Sequence, residues 1–369
     1  MKRTRHTEVS VSLSLPTLIA GFAALAAVIL LATLPVSCVS GLRGRFRTEP
    51  RIGYLATSST ASPQAIQPLG SRPAHLRADP ANAVPNQHAI TQALWAPGID
   101  HGYVPQGLGF AEGQLLISAY KSTSPVNSMG PCRVYRIDPE TGESTGYFDL
   151  PPACGHAGGL AYAGNGVLIL SDTRRLYRID LEQALREKHA RNAITGTLRL
   201  GGALRGSFAA FVPAMTWPGN QSQVQSGNEA ATGPANGPGL FIGAWSTSGK
   251  KAKGYFLPLG LFDSPDGSTI TEENATDSMT IGIRAQGGTF APDGSLWLSF
   301  SSHDFGRIQQ VDPATGKVLA SYPLVSGTED LSFDDQGRLW AVSEAGSLRW
   351  RNWRTSFPLA FRLDTVLLE

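Results

Sequence analysis

One phrase recurs along this chain and limits what it can fold into. It reads Gln106-Gly107-Leu108-Gly109-Phe110, Gly158-Gly159-Leu160-Ala161-Tyr162, Pro213-Ala214-Met215-Thr216-Trp217, Gln286-Gly287-Gly288-Thr289-Phe290 and Glu329-Asp330-Leu331-Ser332-Phe333. Each copy ends on an aromatic residue. Four of the five copies run into a glycine turn, at Gly113, Gly166, Gly294 and Gly337. A second strand-like run follows every copy: Leu115–Tyr120, Val167–Asp172, Leu240–Trp245, Leu296–Phe300 and Leu339–Glu344. Most copies add a third, at Arg133–Asp138, Arg175–Asp180, Tyr255–Leu259 and Arg307–Asp312. Two of these enter the same turn, Asp138-Pro139-Glu140-Thr141-Gly142 and Asp312-Pro313-Ala314-Thr315-Gly316. Pro, Asp and Gly set turn geometry there and need no catalytic explanation.

The aromatic ends are 52, 55, 73 and 43 residues apart. The long interval holds Pro218–Gly239, rich in Gly, Asn, Gln and Ser, which reads as an inserted loop. The underlying unit is then about 40–55 residues, the length of a four-stranded propeller blade. One small sheet cannot bury both faces alone, whereas blades packed around an axis bury them against each other. The expected fold is therefore all-β, a β-propeller with five visible repeats and a degenerate sixth blade as the alternative. The last repeat lacks a strand, so closure needs one from the N-terminal side, near Thr91–Trp95. A β-sandwich would not explain the repeated phrase. Leu181–Ala190 reads as a helix added to the second blade.

Composition fits this architecture. Gly 41 and Pro 25 in 369 residues supply many turns, and charged residues are only 16%. Ordinary soluble chains carry roughly 25%. A coiled coil and a highly charged disordered chain are both excluded. The balance of Lys+Arg 31 against Asp+Glu 29 gives a net charge of +2, which argues against a nucleic-acid partner.

The N-terminal region reads differently. No charge occurs between Glu8 and Arg43, and Thr17–Val36 is a continuous small and apolar run. Twenty helical residues span about 30 Å, the thickness of a bilayer core. Lys2, Arg3 and Arg5 precede it, and Arg43, Arg45, Arg47 and Arg51 follow. An uncleaved membrane anchor leads, with signal cleavage after Ser40 or lipidation at Cys38 as alternatives. The short basic flank resembles a signal n-region, which places the body outside the cytoplasm. The expected organisation is a flank over 1–16, an anchor or signal over 17–40, an Ala/Pro/Ser-rich tether over 41–95 and the propeller over 96–369.

The phrases Ala291-Pro292-Asp293-Gly294-Ser295-Leu296-Trp297, Val311-Asp312-Pro313 and Asp335-Gln336-Gly337-Arg338-Leu339-Trp340 resemble those of propellers grouped with gluconolactonases, streptogramin lyases and strictosidine-synthase-like proteins. The likeness covers roughly Pro105–Asp364, and its phrases are structural. Gluconolactonase-like members hold a divalent metal in the central tunnel, and streptogramin lyases use a His and a Glu with a metal. The resemblance implies a divalent cation, Ca or Mg, with His156 and Glu329 as ligands and catalytic pair. The full carboxylate and amide ligand set of the gluconolactonases is absent from the sequence.

In a propeller the innermost strand lines the axis. Loops entering it share one face with the loops between the second and third strands. That face collects His101, Gln106, His156, Gln286, Glu329 and Asp330, with Lys121, His303 and Asp304 from the other loops. The functional reading is a polar mouth for a small ligand, a hard cation or acid–base work. The structural reading makes these groups inter-blade hydrogen-bond partners, and for Gln106 and Gln286 it comes first. Of Glu329 and Asp330, strand alternation turns only one to the channel. Trp297 and Trp340 read as core, and Trp350 and Trp353 as docked on the last blade. Cys132 and Cys154 fall on this same face, so a disulfide between them is geometrically open. Two unlinked core cysteines are the alternative.

No phosphate loop and no nucleophile elbow occur. Three readings remain. The first is a membrane-tethered extracytoplasmic propeller binding a small-molecule ligand or an envelope protein. The second is a metal-dependent hydrolase or lyase, lactonase-like. The third is a protein-interaction scaffold.

Overall fold

A computed structural model describes residues 66–76, 83–125, 130–213 and 237–369. The first strand, β1 (Ile90–Trp95), is followed by blade one, β2 (Tyr103–Ala111), β3 (Gln114–Lys121), β4 (Cys132–Ile137) and β5 (Ser144–Asp149). Blade two is β6 (Gly159–Tyr162), β7 (Val167–Asp172), β8 (Arg175–Asp180) and β9 (Ile194–Leu200). Blade three begins with β10 (Phe208–Val212), β11 (Gly239–Gly243) and β12 (Lys253–Pro258). A short β13 (Ser268–Ile270) then crosses to blade two and pairs parallel with β9, and β14 (Asp277–Thr280) completes blade three. Blade four is β15 (Ala285–Phe290), β16 (Leu296–Ser301), β17 (Gly306–Val311) and β18 (Val318–Leu324). Blade five is β19 (Thr328–Phe333), β20 (Leu339–Ser343) and β21 (Leu359–Leu363), with β1 as its fourth, outermost strand.

The chain is thus a five-bladed propeller of antiparallel sheets. Closure comes from the N-terminal side, as the incomplete last repeat requires: β1 runs antiparallel to β21, with Trp95 opposite Leu359. The compact body also starts earlier than residue 96. β1 belongs to the last sheet, Leu69 bridges Leu94, and Leu76 and Val84 are buried against blade five. The stretch expected as tether over 41–95 therefore includes part of the folded body, because its Leu and Val side chains cover an apolar sheet edge. Thr17–Val36 and Cys38 lie outside the described residues. Among the described residues no helix is long and apolar enough to cross a membrane.

Blade three corrects the sequence reading. Its inner strand is Phe208–Val212, not Pro213–Trp217. Gly206-Ser207-Phe208-Ala209-Ala210-Phe211 supplies the small residues and the aromatic end that the phrase requires, and Phe211 takes the place assigned to Trp217. Residues 214–236, most of the inserted loop among them, lie outside the described residues. The helix α1 (Leu181–Glu187) forms where expected, capped by the Asp180 carboxylate accepting from the Gln183 amide at 2.9 Å. It stops early because Lys188 turns to a left-handed φ of 55°.

Adjacent inner strands touch backbone to backbone. A Cβ on Gly159 would lie 2.4 Å from the Ala209 nitrogen, and one on Gly287 would lie 2.4 Å from the Asp330 Cα. Glycine in the repeated phrase is thus the condition for bringing five strands around one axis. Larger residues fill the wedges between blades, led by Trp340, Phe148, Phe208, Phe241 and Phe361, all fully buried.

Three inner strands depart from straight alternation. The register of β2 shifts between Pro105 and Leu108, that of β15 between Ala285 and Gly287, and that of β19 between Thr328 and Leu331. These irregularities fall on Gln106, Gln286 and Glu329–Asp330. A bulge re-aims side chains, so both Glu329 and Asp330 turn inward and are buried, against the expectation of one.

Candidate functional site

The bulges bring Gln106, Gln286 and Glu329 to the mouth where inner strands begin. Glu344, just past the end of β20, joins them from the facing loop of blade five. Gln286 Nε2 donates to Glu329 Oε1 at 3.0 Å, and Gln106 Nε2 donates to Glu344 Oε2 at 3.1 Å. The Trp350 indole N–H donates to the same Glu344 oxygen at 2.6 Å. The two carboxyl groups are hydrogen-bonded to each other. Such a bond requires a proton on one partner, so the pair holds one acid and one carboxylate.

Burial is the main cause of that state. It raises the Glu329 carboxyl well above its usual range, and the neighbouring Glu344 charge adds to the effect. Glu344 is raised to about 7, with Trp350, Arg349 and Gln106 favouring its charged form. Arg349 stacks over the Tyr120 ring at 5.3 Å and the Trp350 ring at 4.7 Å. Trp350 in turn stacks on Trp353 at 4.8 Å, and His303 meets Trp353 edge-on at 6.4 Å. Both tryptophans are therefore mouth residues as well as parts of blade five.

His156 enters from blade two. Its ring stacks on Tyr120, centroids 5.2 Å apart, and its backbone N–H donates to Asp172 Oδ1 at 2.8 Å. Part of its surface reaches solvent, yet the surrounding protein lowers its pKa to about 4. Desolvation is the largest cause, the Arg349 charge adds to it, and Asp172 opposes it. The imidazole is neutral at physiological pH. Burial also raises the Tyr120 hydroxyl above its ordinary value.

The expected metal pair, His156 and Glu329, is held by different partners. His156 packs with Tyr120, Asp172 and Arg349, whereas Glu329 binds Gln286 and Glu344. Among the described residues, no three His, Cys, Asp or Glu side chains are arranged to hold a metal ion. Asp330 is also reassigned. Its Oδ1 accepts the N–H groups of Gly288 at 3.1 Å and Leu331 at 2.9 Å, and its Oδ2 accepts that of Leu108 at 3.0 Å. The Leu160 amide also bonds to it, so it ties four inner strands together. His101 is exposed in a single turn over Ile99–His101, and nothing among the described residues joins its side chain to the carboxyl pair.

Cys132 and Cys154 do come together. Both are buried, and their side chains are hydrogen-bonded as free thiols. The expected proximity is present, and the structure shows the pair in its reduced form.

Sequence reasoning missed Glu344, Tyr120 and Arg349 as members of the mouth. The repeat itself held a signal for the first, since Glu344 occupies the end of a second strand in blade five, where the loop face begins. At the other end of the axis, the five aromatic ends of the inner strands, Phe110, Tyr162, Phe211, Phe290 and Phe333, line a cavity of about 360 Å³.

No family model matches this chain, and no curated protein matches it. Similar solved structures include the glutaminyl cyclase of Myxococcus xanthus, at 14% identity and a TM-score of 0.46, covering 74% of this chain and 94% of that one. A luciferin-regenerating enzyme gives 9% identity and a TM-score of 0.36, covering 72% and 92%. The Dos1 propeller gives 15% identity and a TM-score of 0.34, covering 65% and 52%. Overlaps this loose transfer no activity. The propeller assignment rests on the strand order above, and the resemblance to gluconolactonase-like proteins rests on the quoted phrases alone.

Proposed function

We propose that this chain is a membrane-tethered, extracytoplasmic propeller that binds a small polar ligand at its channel mouth. The Glu329–Glu344 pair is the recognition element, and the ligand presents an N–H donor to it. The observation that carries this reading is the pair itself. Two carboxyl groups buried side by side cost more to fold than an apolar contact of the same shape. Perturbed groups of this kind collect at functional sites. Gln106, Gln286 and Trp350 hold the pair in place, and Tyr120, Trp350 and Trp353 give it flat aromatic walls. The apolar run Thr17–Val36 supports the tether.

The Trp350 indole N–H reports directly on Glu344. In the full chain in detergent, titration with n-butylamine and N-methylacetamide is expected to move its NMR resonance, and Glu344→Gln to abolish the amine response. A resonance unmoved by either probe, in protein that still unfolds cooperatively, refutes the mouth as a site of this chemistry. Protease protection of the body in intact cells would refute the extracytoplasmic placement.

A second reading has its own observation. An acid and a carboxylate with one member near pH 7 form a poised proton donor and acceptor. Acid–base catalysis by this pair, on a substrate with an amide or amine, would appear as turnover lost in both Glu329→Gln and Glu344→Gln.

A further inference from the structure

Four residues at the seam of blades one and two form a closed ring of contacts. Cys132 opens β4 and lies directly across the sheet from Tyr120 on β3. Tyr120 stacks on His156. His156 follows Cys154 by two positions, and the Cys154 side chain returns to Cys132 through the thiol–thiol hydrogen bond. Two links of this ring are covalent backbone or sheet register, and two are side-chain contacts. The backbone of the loop from Pro151 to Gly158 is fixed by its neighbours, with Ala157 O accepting the Ser118 hydroxyl at 2.6 Å and the Gly158 amide donating to Ser171 O at 2.9 Å, and the cysteine pair adds a side-chain link to that frame. The Cys154 amide donates to Pro151 O at 2.9 Å, and the Gly155 and His156 amides reach Asp172.

We propose that Cys132 and Cys154 are joined by a disulfide in the exported protein, and that this bond is a clasp holding His156 against Tyr120 at the channel mouth. The oxidising side of the membrane comes from the proposed function; the proximity of the two sulfurs does not depend on it. In the reaction each thiol loses its proton, the two sulfurs bond, and two electrons pass to the disulfide of a thiol–disulfide oxidoreductase, which leaves as a dithiol. Both cysteines end fully buried, so the exchange belongs to the folding chain, before the seam closes. Afterwards a reductant cannot reach either sulfur, which makes the bridge a durable feature and not a reversible signal. His156 is a positioned group in this scheme, and the cysteines act through it.

The full chain, produced with export and mapped without reduction, should yield one cross-linked peptide pair containing Cys132 and Cys154, two hydrogens lighter than the free pair, with Cys38 outside the link. The same chain refolded in a glutathione redox buffer should form the same link. A link in the refolded but not in the exported protein refutes the extracytoplasmic placement and leaves the pairing intact. Free thiols in both preparations, or a bridge to Cys38, overturn the pairing. The clasp is read separately from the ring protons of His156. In the bridged protein they should carry the upfield NMR shift of a stacked ring, and in Cys132→Ser with Cys154→Ser they should move toward free-histidine positions. Unchanged ring shifts in a folded double variant overturn the clasp.

Discussion

Asp330 offers the sharpest test of how this ring is held together. Its carboxyl accepts four backbone N–H groups from four inner strands: Gly288 and Leu331 on Oδ1, Leu108 on Oδ2, and Leu160. Asp330→Ala removes the acceptor and leaves four buried donors unmet. Each buried donor without a partner costs on the order of 1–3 kcal/mol, so the total is about 4–12 kcal/mol. A domain stability of roughly 5–15 kcal/mol would be largely consumed. Asp330→Asn is milder. Its amide oxygen can keep Gly288 and Leu331, while its nitrogen faces the Leu108 N–H, leaving at least one unmet donor and a loss of about 1–3 kcal/mol for each. Equilibrium unfolding in urea, read by tryptophan fluorescence and by circular dichroism, should rank wild type above Asn and Asn above Ala. The pH dependence adds a second check. Burial raises the Asp330 carboxyl to about 8, above its value in the unfolded chain. A raised acid favours the fold while protonated, and that contribution fades as pH rises through the folded value. The Asn penalty should therefore be larger at acidic pH and smaller above pH 8. An Ala variant within about 1 kcal/mol of wild type, below the cost of even one orphaned donor, would refute Asp330 as the tie between strands.

Three further outcomes follow from the mouth and the seams. Because Glu344 and Glu329 are both raised by burial, the urea midpoint should fall as pH rises from 4.5, the ordinary value for such a carboxyl, through about 7, and Glu344→Gln should flatten that slope; a flat wild-type profile would remove the buried acid pair. The His156 ring should titrate near 4 by NMR and shift upward in Arg349→Gln, since Arg349 opposes its protonation; an ordinary histidine midpoint in the wild type would contradict its packed position. Gly159→Ala should cost several kcal/mol or prevent folding, because its Cβ would sit 2.4 Å from the Ala209 nitrogen; a silent substitution would mean that the inner strands are less tightly packed than described.

The blades were legible because each repeats a turn, an alternation and an aromatic end on a fixed beat. Even the strand that closes the ring could be anticipated, since blade five ran out of sequence before its fourth strand. Blade three was misplaced by a few residues because two stretches there satisfy the phrase, and Trp217 looks more like an anchor than Phe211. The site was half legible. Gln106, Gln286 and Glu329 were found because they start inner strands. Glu344 was passed over because it meets Gln106 across 238 positions of chain, a contact that only ring closure creates. Asp330 was misjudged for a different reason. Strand alternation predicts that neighbours point apart, and the bulge in β19 suspends that rule at the very position in question.

Ring closure also makes the beginning of the body arbitrary. Asn86, just before β1, donates from Nδ2 to the Glu369 carbonyl at 3.1 Å and accepts the Glu369 amide at 2.9 Å. The entry to β1 and the segment after β21 are thereby stitched side by side at the rim of blade five. A short linker could join them, and the chain could be opened instead at an exposed turn such as Glu140–Thr141 without breaking any sheet. Such a permuted protein would keep every blade whole and move the chain ends to the rim of blade one. The stitch thus singles out blade five as the one that holds both of these segments, a distinction that the five nearly equivalent blades leave otherwise undetermined.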